Sequence, residues 1–374
     1  MKPLEGLRIV DFTEGAQGPF AASLLGDLGA EVVKVERPGG ELMRHIGPFR
    51  QGVALPMLSI ARSRHATVSL DVKQAADRAA VHRLLAVSDL LIQNWKPGTD
   101  ARLGLSFEQV RAIRPTIIYV RASGYGTRGP FGTTGSMDSL SQAISGLSSL
   151  SGDPAGEGEK TRTPILDFVS AFVTAEAALV GLASQRRTGK ATLIDTSQFS
   201  AALDAAAPEV ASTAAGRVAP AGRASRYLPL GGWFRCADDV YVCLECRDAA
   251  EVGQALECLG AADGTPPQAA VDDALSRIPS GQAIARLRGA GLPARAVERS
   301  FHPDLFAAFP GTVSVAQDEV VGEIRHPETP FLMTGTPPQA GGPLGPIGRD
   351  NPLLDRIIAQ WGTRPAALRQ EDEP

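Results

Sequence analysis

Short apolar strand patterns alternate with helix patterns through the first 200 residues, and this alternation restricts the fold more than any other feature of the chain. The predicted strands are Leu7–Phe12, Glu31–Glu36, Thr67–Val72, Asp89–Gln93, Thr116–Arg121 and Thr192–Asp195. The predicted helices are Phe20–Gly29 and the segments at about 74–87, 106–113, 137–148 and 168–186. Strand–helix–strand repeats at this spacing are typical of an α/β fold with a doubly wound, largely parallel sheet. In such sheets, ligands bind outside the carboxyl ends of the strands.

A chain of 374 residues is long enough for two domains. The sequence predicts a large domain over 1–200, an Ala-, Pro- and Gly-rich linker over 201–228, a small α+β domain over 229–310 and a second linker over 311–334. The small domain has strand patterns at Trp233–Cys236 and Val240–Cys246, and helix patterns at Ala249–Leu259 and Gly281–Ala290. A last helix is predicted over Asn351–Trp361, because Pro352 suits a first helical turn and apolar residues recur along one face.

Charge and hydropathy restrict the classes of partner. The formal net charge is −4 and no block of like charge occurs, so we expect no nucleic-acid partner. The N-terminal residues contain no apolar signal segment, and no apolar run approaches the roughly 18 residues that a membrane helix requires. We therefore expect a soluble, cytoplasmic protein that does not bind a membrane.

Four cysteines lie close together in the sequence, and two of them, Cys243 and Cys246, have the spacing of metal ligands. Both fall in a predicted strand, where residues three apart point to opposite faces. No second such pair and no paired histidine completes a site. We therefore predict no metal, and interpret these cysteines as buried apolar residues.

Asp167 directly precedes the predicted helix over 168–186, in the position of a helix N-cap. The helix dipole and the free N–H groups there would favour the ionised carboxylate. A carboxylate in a dry site can act as a covalent nucleophile. An Asp before a helix is more often only a cap, and its position alone favours that interpretation.

Two loops follow predicted strands at the expected ligand edge. The turn Gly15–Pro19 joins the first strand to the first helix, where a helix N-terminus favours an anionic ligand. It is not a GxGxxG fingerprint, which argues against an NAD-dependent oxidoreductase. The segment Asn94–Gly98 combines an amide, an aromatic ring and a cation, which could hold a nucleotide. A tight turn and a solvated loop are the simpler interpretations of these two segments.

Taken in order, these segments resemble the family III CoA-transferases, which include formyl-CoA transferase and the carnitine CoA-transferases. The matching segments are Pro3–Asp11, Gly18-Pro19, Leu25–Glu36, Leu70–Lys73, Asn94–Gly98, Arg102–Leu105, Ser123–Gly126, Gly129-Pro130, Gln142-Ala143, Ser145–Leu147 and Arg187–Lys190. Each motif is short, but their order and spacing extend over residues 3–200, and weaker matches continue to the last helix.

The resemblance implies a Rossmann-like large domain completed by residues 335–374, a small domain, and two chains interlocked in a homodimer. It implies an enzyme that moves CoA from an acyl-CoA thioester to a free carboxylic acid, with coenzyme A as substrate and no prosthetic group. By the same match, Asp167 is the nucleophile that forms an aspartyl anhydride and then an aspartyl-CoA thioester. The implied CoA contacts are Ala16, Gln17, Arg37, Leu70, Lys73, Asn94, Trp95, Arg102 and Tyr125.

The chain departs from the family pattern at three places. Residues 62–65 (Arg-Ser-Arg-His) replace the usual Asn-x-Asn-Lys run, and the glycine-rich loop is reduced to Leu230-Gly231-Gly232. Met137 stands where the related α-methylacyl-CoA racemases place a proton-exchanging His, although Asp248 lies near the position of their Glu. Two alternatives therefore stay open beside CoA transfer: a racemase-like isomerase, which would lack one base, and a CoA-binding relative without turnover.

Overall fold

The computed structural model describes residues 2–62, 66–152, 158–216, 227–261, 264–338, 342 and 344–363. The chain divides into two compact units. The first comprises residues 1–147, 160–217 and 309–374, and the second comprises residues 148–159 and 218–308. Residues 63–65, which include His65, and residues 217–226, which belong to the predicted first linker, lie outside the described residues.

A six-stranded parallel sheet forms the centre of the first unit. The first eight strands of the chain are β1 (Arg8–Asp11), β2 (Glu31–Glu36), β3 (Phe49–Arg50), β4 (Val53–Ala54), β5 (Ala66–Ser69), β6 (Leu90–Gln93), β7 (Ile118–Ser123) and β8 (Thr192–Ser197). The large sheet has the order β5-β2-β1-β6-β7-β8, while β3 and β4 form a separate two-stranded ribbon. The predicted α/β class with a parallel central sheet is confirmed, and the strand order reverses between β1 and β6.

Helices cover both faces of this sheet. Those of the first unit are α1 (Gln17–Asp27), α2 (Leu55–Ile60), α3 (Ala75–Ala86), α4 (Thr99–Arg102), α5 (Phe107–Ile113), α6 (Asp138–Ile144), α7 (Ile165–Thr188), α8 (Gln198–Ala205), α9 (Ala207–Thr213) and, near the C-terminus, α14 (Leu354–Thr363). Neighbouring strand residues belong to opposite cores. Ile9 packs in the cluster that holds α1 and α7, whereas Val10 packs in the cluster that holds α3 and α14. This is the alternation that a doubly covered sheet requires.

The C-terminal helix α14 is part of this core. Trp361 is almost completely buried, and its indole N–H donates to the Glu31 carboxylate at 2.9 Å. The Arg8 guanidinium binds the Asp89 carboxylate through two atoms and also donates to the Trp361 carbonyl at 2.6 Å. Because these charges are buried, their mutual hydrogen bonds offset the cost of removing them from water.

Helix α7 is the longest helix of the described chain and is apolar over most of its length. By length and composition alone it could span a membrane, so the expectation that no segment approaches that limit was wrong. One such helix is weak evidence for a membrane, because the core helix of a globular domain passes the same test. Ala171, Ala175 and Leu182 of α7 pack in the core beside α1, while Phe172 and Val180 are exposed.

Two segments predicted as linkers contain regular structure. Helices α8 and α9 occupy most of the first half of 201–228. The segment 311–334 contains an antiparallel hairpin of β12 (Val313–Asp318) and β13 (Gly322–Pro327), in which Val321 and Ile324 pack with Leu58. Alanine-rich and proline-rich composition concealed these elements, since neither gives a clear apolar period.

The second unit has its own core. Its strands are β9 (Leu230–Arg235), β10 (Tyr241–Cys246) and β11 (Ala294–Ala296), which form an antiparallel sheet, and its helices are α10 (Ala249–Leu259), α11 (Pro267–Ser276), α12 (Ser280–Gly289) and α13 (Pro303–Ala307). The segment Leu230-Gly231-Gly232 is therefore paired strand and not a glycine-rich loop. Within β10, Cys246 is fully buried and Cys243 only half-buried, as expected for opposite faces.

Candidate active site

A cavity of about 990 Å³ lies at the carboxyl ends of β1 and β6, where the strand order reverses. Its walls come from the loops after β1, β6 and β7 and from the first turns of α1, α6 and α7. Parallel sheets bind ligands at this place because the loops after adjacent strands diverge there. The cavity is therefore where the fold would hold a substrate.

Hydrogen bonds join the loops after β1 and β6. The Asn94 side chain accepts from the Glu14 N–H at 2.9 Å and donates to the Glu14 carbonyl at 2.7 Å. The Gly15 N–H donates to the buried Glu41 carboxylate at 2.9 Å. Gly18 allows α1 to approach this turn, since a Cβ there would lie only 2.2 Å from the Thr13 methyl group.

A buried ammonium group supports the same turn from inside the sheet. Lys34 is fully buried, and its Nζ contacts Asp11 at 3.2 Å and donates to the Thr13 carbonyl at 2.7 Å. Burial alone would lower the pKa of Lys34, but the neighbouring carboxylates of Asp11, Glu41 and Glu36 outweigh burial and raise it. Lys34 therefore stays charged, and holds the loop after β1 in one conformation.

Gln17 begins α1 and faces the cavity. Its side chain is buried, with 5 % exposed, yet its amide nitrogen Nε2 has no hydrogen-bond partner among the described residues. A buried amide donor without a partner costs free energy, and a substrate oxygen would remove that cost.

Asp167 lines the same cavity, but it is not the N-cap of its helix. Helix α7 begins two residues earlier, at Ile165, so the predicted start at Phe168 was wrong. The cap comes from a distant residue. Asp138 Oδ1 accepts the backbone N–H groups of Leu166 at 2.7 Å and Asp167 at 3.1 Å. A carboxylate at this end of a helix is favoured by the free N–H groups and by the helix dipole.

The environment of Asp167 raises its pKa to about 7, which corrects the expectation that the helix would favour the ionised form. Burial is the largest cause, and the negative charge of Asp138 is the second. A hydrogen bond from Gln198 lowers the pKa, but by less than these two effects raise it. The helix dipole is partly neutralised because the Asp138 carboxylate, from α6, already accepts from N–H groups in the first turn of α7. Asp167 is thus a carboxyl group that changes charge near neutral pH.

Gln198 is a direct neighbour of Asp167 that the sequence did not indicate. Its Nε2 donates to Asp167 Oδ1 at 2.5 Å, and its Oε1 accepts from the Ser141 hydroxyl at 2.6 Å. Asp138 has a similar partner, because Gln142 Nε2 donates to Asp138 Oδ2 at 2.5 Å. Each carboxyl group of the site is therefore bound by one buried glutamine.

The structure brings together some of the predicted CoA contacts. Ala16, Gln17, Asn94 and Trp95 line the cavity with Asp167. Arg37 and Arg102 lie one contact away: Arg37 pairs with Glu14 at 3.3 Å, and Arg102 donates to Thr99 at 2.8 Å. The remaining three do not line the cavity: Lys73 is exposed, Leu70 packs in a core, and Tyr125 contacts Phe131.

Met137 lines the cavity and is 62 % exposed. Its thioether has no proton to exchange, so it cannot replace the histidine of a two-base isomerase. Asp248 belongs to the second unit, where it caps α10 by accepting from the Glu251 N–H at 2.9 Å.

Sequence reasoning missed Asp138, Gln142, Ser141 and Gln198 as parts of the site. A signal existed for Gln198, which follows β8 directly and so falls at the ligand edge of a parallel strand. For the α6 residues, the match of Gln142-Ala143 to the family pattern gave no role, because these roles depend on α6 and α7 meeting.

The sequence and the fold were compared with known proteins. Residues 4–356 match the family model described as CoA-transferase family III, so the chain belongs to that family. The alpha subunit of a succinyl-CoA–L-malate CoA-transferase from Chloroflexus aurantiacus is 36 % identical over 252 residues, which cover 65 % of this chain and 58 % of that protein. A succinyl-CoA:glutarate CoA-transferase from Mus musculus is 37 % identical over 202 residues, which cover 54 % of this chain and 46 % of that protein.

The matched stretches thus span about half the length of these relatives. Among solved structures, a CAIB/BAIF family protein from Brucella suis aligns with a TM-score of 0.82 over 96 % of this chain and 99 % of that one. At 24 % identity this likeness concerns the fold alone.

Replacing Asp138 by Asn tests the electrostatic environment of Asp167. The substitution removes the negative charge but keeps an oxygen for the two helix N–H groups, so the pKa of Asp167 should fall below that of the unmodified protein. Titration of ¹³C-labelled aspartate carboxyls by NMR measures the shift. Asp355→Asn, on the exposed surface of α14, is the matched control and should leave the pKa of Asp167 unchanged. If Asp167 has the same pKa in Asp138→Asn as in Asp355→Asn, this account is contradicted.

Proposed function

We propose that the protein transfers CoA from an acyl-CoA thioester to a free carboxylic acid, with Asp167 as the nucleophile. The observation that supports this most is a single carboxyl group, titrating near neutral pH, at the wall of a cavity large enough for the reacting end of a thioester. Membership of CoA-transferase family III gives the same class of reaction. The activity, substrates and partners of the whole protein are part of the proposal.

In the first half-reaction, the Asp167 carboxylate attacks the carbonyl carbon of the bound thioester. The C–S bond breaks, CoA leaves as the thiolate, and the acyl group remains on Asp167 as a mixed anhydride. The thiolate then attacks the aspartyl carbonyl carbon, which releases the donor acid as a carboxylate and leaves an aspartyl-CoA thioester.

In the second half-reaction, the acceptor carboxylate attacks the aspartyl carbon of that thioester and expels the thiolate. The thiolate attacks the acceptor carbonyl of the new anhydride, which forms the product acyl-CoA and restores Asp167. No net proton is transferred. The raised pKa favours this chemistry, because a more basic carboxylate is a stronger nucleophile and CoA thiolate is a better leaving group than an ordinary alkoxide.

The chemistry of the side chains in and near the cavity suggests how each would contact the substrate. The unpartnered Gln17 amide would donate to a substrate oxygen, and the Trp95 ring with Asn94 and Ala16 would contact CoA. Outside the cavity lining, the family resemblance assigns Arg37, Lys73 and Arg102 as positive charges for the CoA phosphates, and Leu70 and Tyr125 as apolar contacts. The strand order with its reversal at β1 and β6 supports a Rossmann-like description of the large domain. The cytoplasmic location stays a prediction.

Covalent trapping tests the proposal. Incubation with an acyl-CoA and hydroxylamine should convert Asp167 into a hydroxamate, and borohydride should reduce its thioester, both of which peptide mass spectrometry detects. Since only the carboxylate attacks, adduct formation should rise with pH through about 7 and level off above it. Asp167→Ala should form no adduct. If the unmodified protein transfers no CoA but exchanges the α-proton of an acyl-CoA with solvent, the result would instead favour isomerase chemistry.

We further propose that the acyl groups carry a second carboxylate. Lys160 and Arg162 line the cavity just before α7, and neither has an ion pair or hydrogen bond to another described residue. Thr161, between them, is fixed because its N–H donates to Gln142 at 3.0 Å. Lys96, in the loop after β6, also lines the cavity. Gly135 leaves room for the Lys96 side chain, since a Cβ on Gly135 would lie 2.9 Å from Lys96 Cε. The two curated relatives act on succinyl-CoA with malate or glutarate, which are dicarboxylic acids.

Donor preference tests this assignment. Succinyl-CoA should react with a kcat/KM about 10-fold or more above that of butyryl-CoA, which has a methyl group in place of the free carboxylate. Arg162→Gln should reduce that preference by raising KM for succinyl-CoA alone. Arg186→Gln, an exposed cation at the far end of α7, should not change it. Equal use of both donors by the unmodified protein would contradict the assignment.

We propose a homodimer, interlocked as the family resemblance implies. The exposed apolar residues of α7 and of the edge strand β8 support an interface there, among them Phe172, Val180 and Leu193. Sedimentation velocity should give the mass of two chains. Val180→Glu should weaken the assembly, whereas Val315→Glu, equally exposed on β12, should not. A monomer at micromolar concentration would contradict the proposal.

A further inference from the structure

The side chain of Gln198 lies between two elements that meet only in the folded chain. It is the first residue of α8 and 4 % exposed, and it bridges Ser141 of α6 and Asp167 of α7. A fully buried amide is costly unless both of its ends are hydrogen-bonded, and here both are. Its position is therefore defined by the packing of three helices.

The orientation of this amide is fixed by the ionised Asp167 carboxylate, which can only accept a hydrogen bond. The NH₂ end of Gln198 therefore faces Asp167 Oδ1, and its Oε1 faces Ser141, whose hydroxyl donates to it at 2.6 Å. Ser141 is fully buried, so water does not compete for it. Ser141 thus holds the carbonyl end of Gln198 while the NH₂ end contacts Asp167.

This arrangement makes the two oxygens of Asp167 unequal. Oδ1 accepts from Gln198 at 2.5 Å, whereas Oδ2 accepts no hydrogen bond from the described residues. An oxygen that already accepts a hydrogen bond is the weaker nucleophile, so Oδ2 attacks the donor thioester. After that attack, Oδ2 bridges the two carbonyl carbons of the anhydride, and Oδ1 is the aspartyl carbonyl oxygen.

We propose that Gln198 is a catalytic residue that stabilises negative charge on Oδ1 and so directs CoA thiolate to the aspartyl carbon of the anhydride. When the thiolate forms its bond to that carbon, the C=O electron pair moves onto Oδ1, which the Gln198 N–H already contacts. Collapse restores the C=O bond, breaks the bond from the aspartyl carbon to Oδ2, and releases the donor acid with Oδ2 as a carboxylate oxygen. This inference rests on the proposed function.

The Gln198 N–H group selects between the two carbonyl carbons of the anhydride. Attack of the thiolate on the acyl carbon only regenerates the starting thioester, whereas attack on the aspartyl carbon continues the transfer. A preorganised donor aimed at one carbonyl oxygen accelerates addition at that carbon, and removing one such donor commonly slows the step by about 100-fold or more. The first attack by Asp167 places its negative charge on the substrate oxygen, so Gln198 should matter little there.

A single-turnover experiment separates these steps. Wild-type protein and Gln198→Leu are mixed with succinyl-CoA at several pH values above 7 and quenched in acid, and mass spectrometry measures the acyl and CoA adducts of the Asp167 peptide. Rates are compared where they no longer rise with pH, because loss of the Gln198 hydrogen bond should raise the pKa of Asp167 further. In Gln198→Leu the acyl adduct should form within about 3-fold of the wild-type rate, and the CoA adduct about 100-fold more slowly. Ser141→Ala, which releases the amide orientation, should slow the same step by about 10-fold. Gln360→Leu, on the exposed surface of α14, is the matched control.

Three outcomes would overturn the inference. If Gln198→Leu forms the CoA adduct at the wild-type rate, Gln198 gives no stabilisation. If both adducts slow equally while the thermal transition is unchanged, the residue only positions Asp167. If wild-type protein forms neither adduct with succinyl-CoA or other acyl-CoAs, the proposed function itself fails. This result can be told from the first two because it is seen in the wild-type protein, without any substitution.

Discussion

The carboxylate of Asp138 holds the first turn of α7 in place, and the rest of the candidate site depends on that interaction. Pro164 has no side-chain donor or acceptor for a cap, so the N–H groups of Leu166 and Asp167 would otherwise be unpaired. By accepting both, Asp138 fixes α7 against α6 and sets where the Asp167 side chain enters the cavity. Gln142 then joins Asp138 to Thr161, so the segment before α7 is positioned by the same carboxylate.

One consequence is that two acidic groups lie together in a largely buried place. Like charges so close cannot both be ionised without cost, and the cost falls on the group with the weaker hydrogen bonds. Burial is the largest cause of the raised pKa of Asp167 and the charge of Asp138 adds to it, while the single hydrogen bond that Asp167 accepts offsets only part of both. The Asp138 carboxylate that caps α7 thus also contributes to the raised pKa of Asp167.

Much of the first unit could be predicted from the sequence. Strand β2 was predicted with its observed bounds, and β6 and α5 within one residue, because apolar period and flanking turns are local signals. The errors also have local causes. Alanine-rich α9 and the hairpin β12–β13 lack a clear period, and the start of α7 was placed too late because Asp167 resembles a cap in sequence. The roles of Gln142 and Ser141 in the site were not found, because they depend on contacts between helices and not on a local pattern.

The sequence by itself indicated most strands and helices of the first unit, the family resemblance and Asp167 as the proposed nucleophile, because these depend on short local patterns and on their order along the chain. Only the tertiary structure decided the charge of that aspartate and its partners. Asp138 lies 29 residues before Asp167 and Gln198 lies 31 residues after it, so no local pattern relates them. A pKa depends on burial and on the distance to other charges, and both exist only after helices α6, α7 and α8 have packed together.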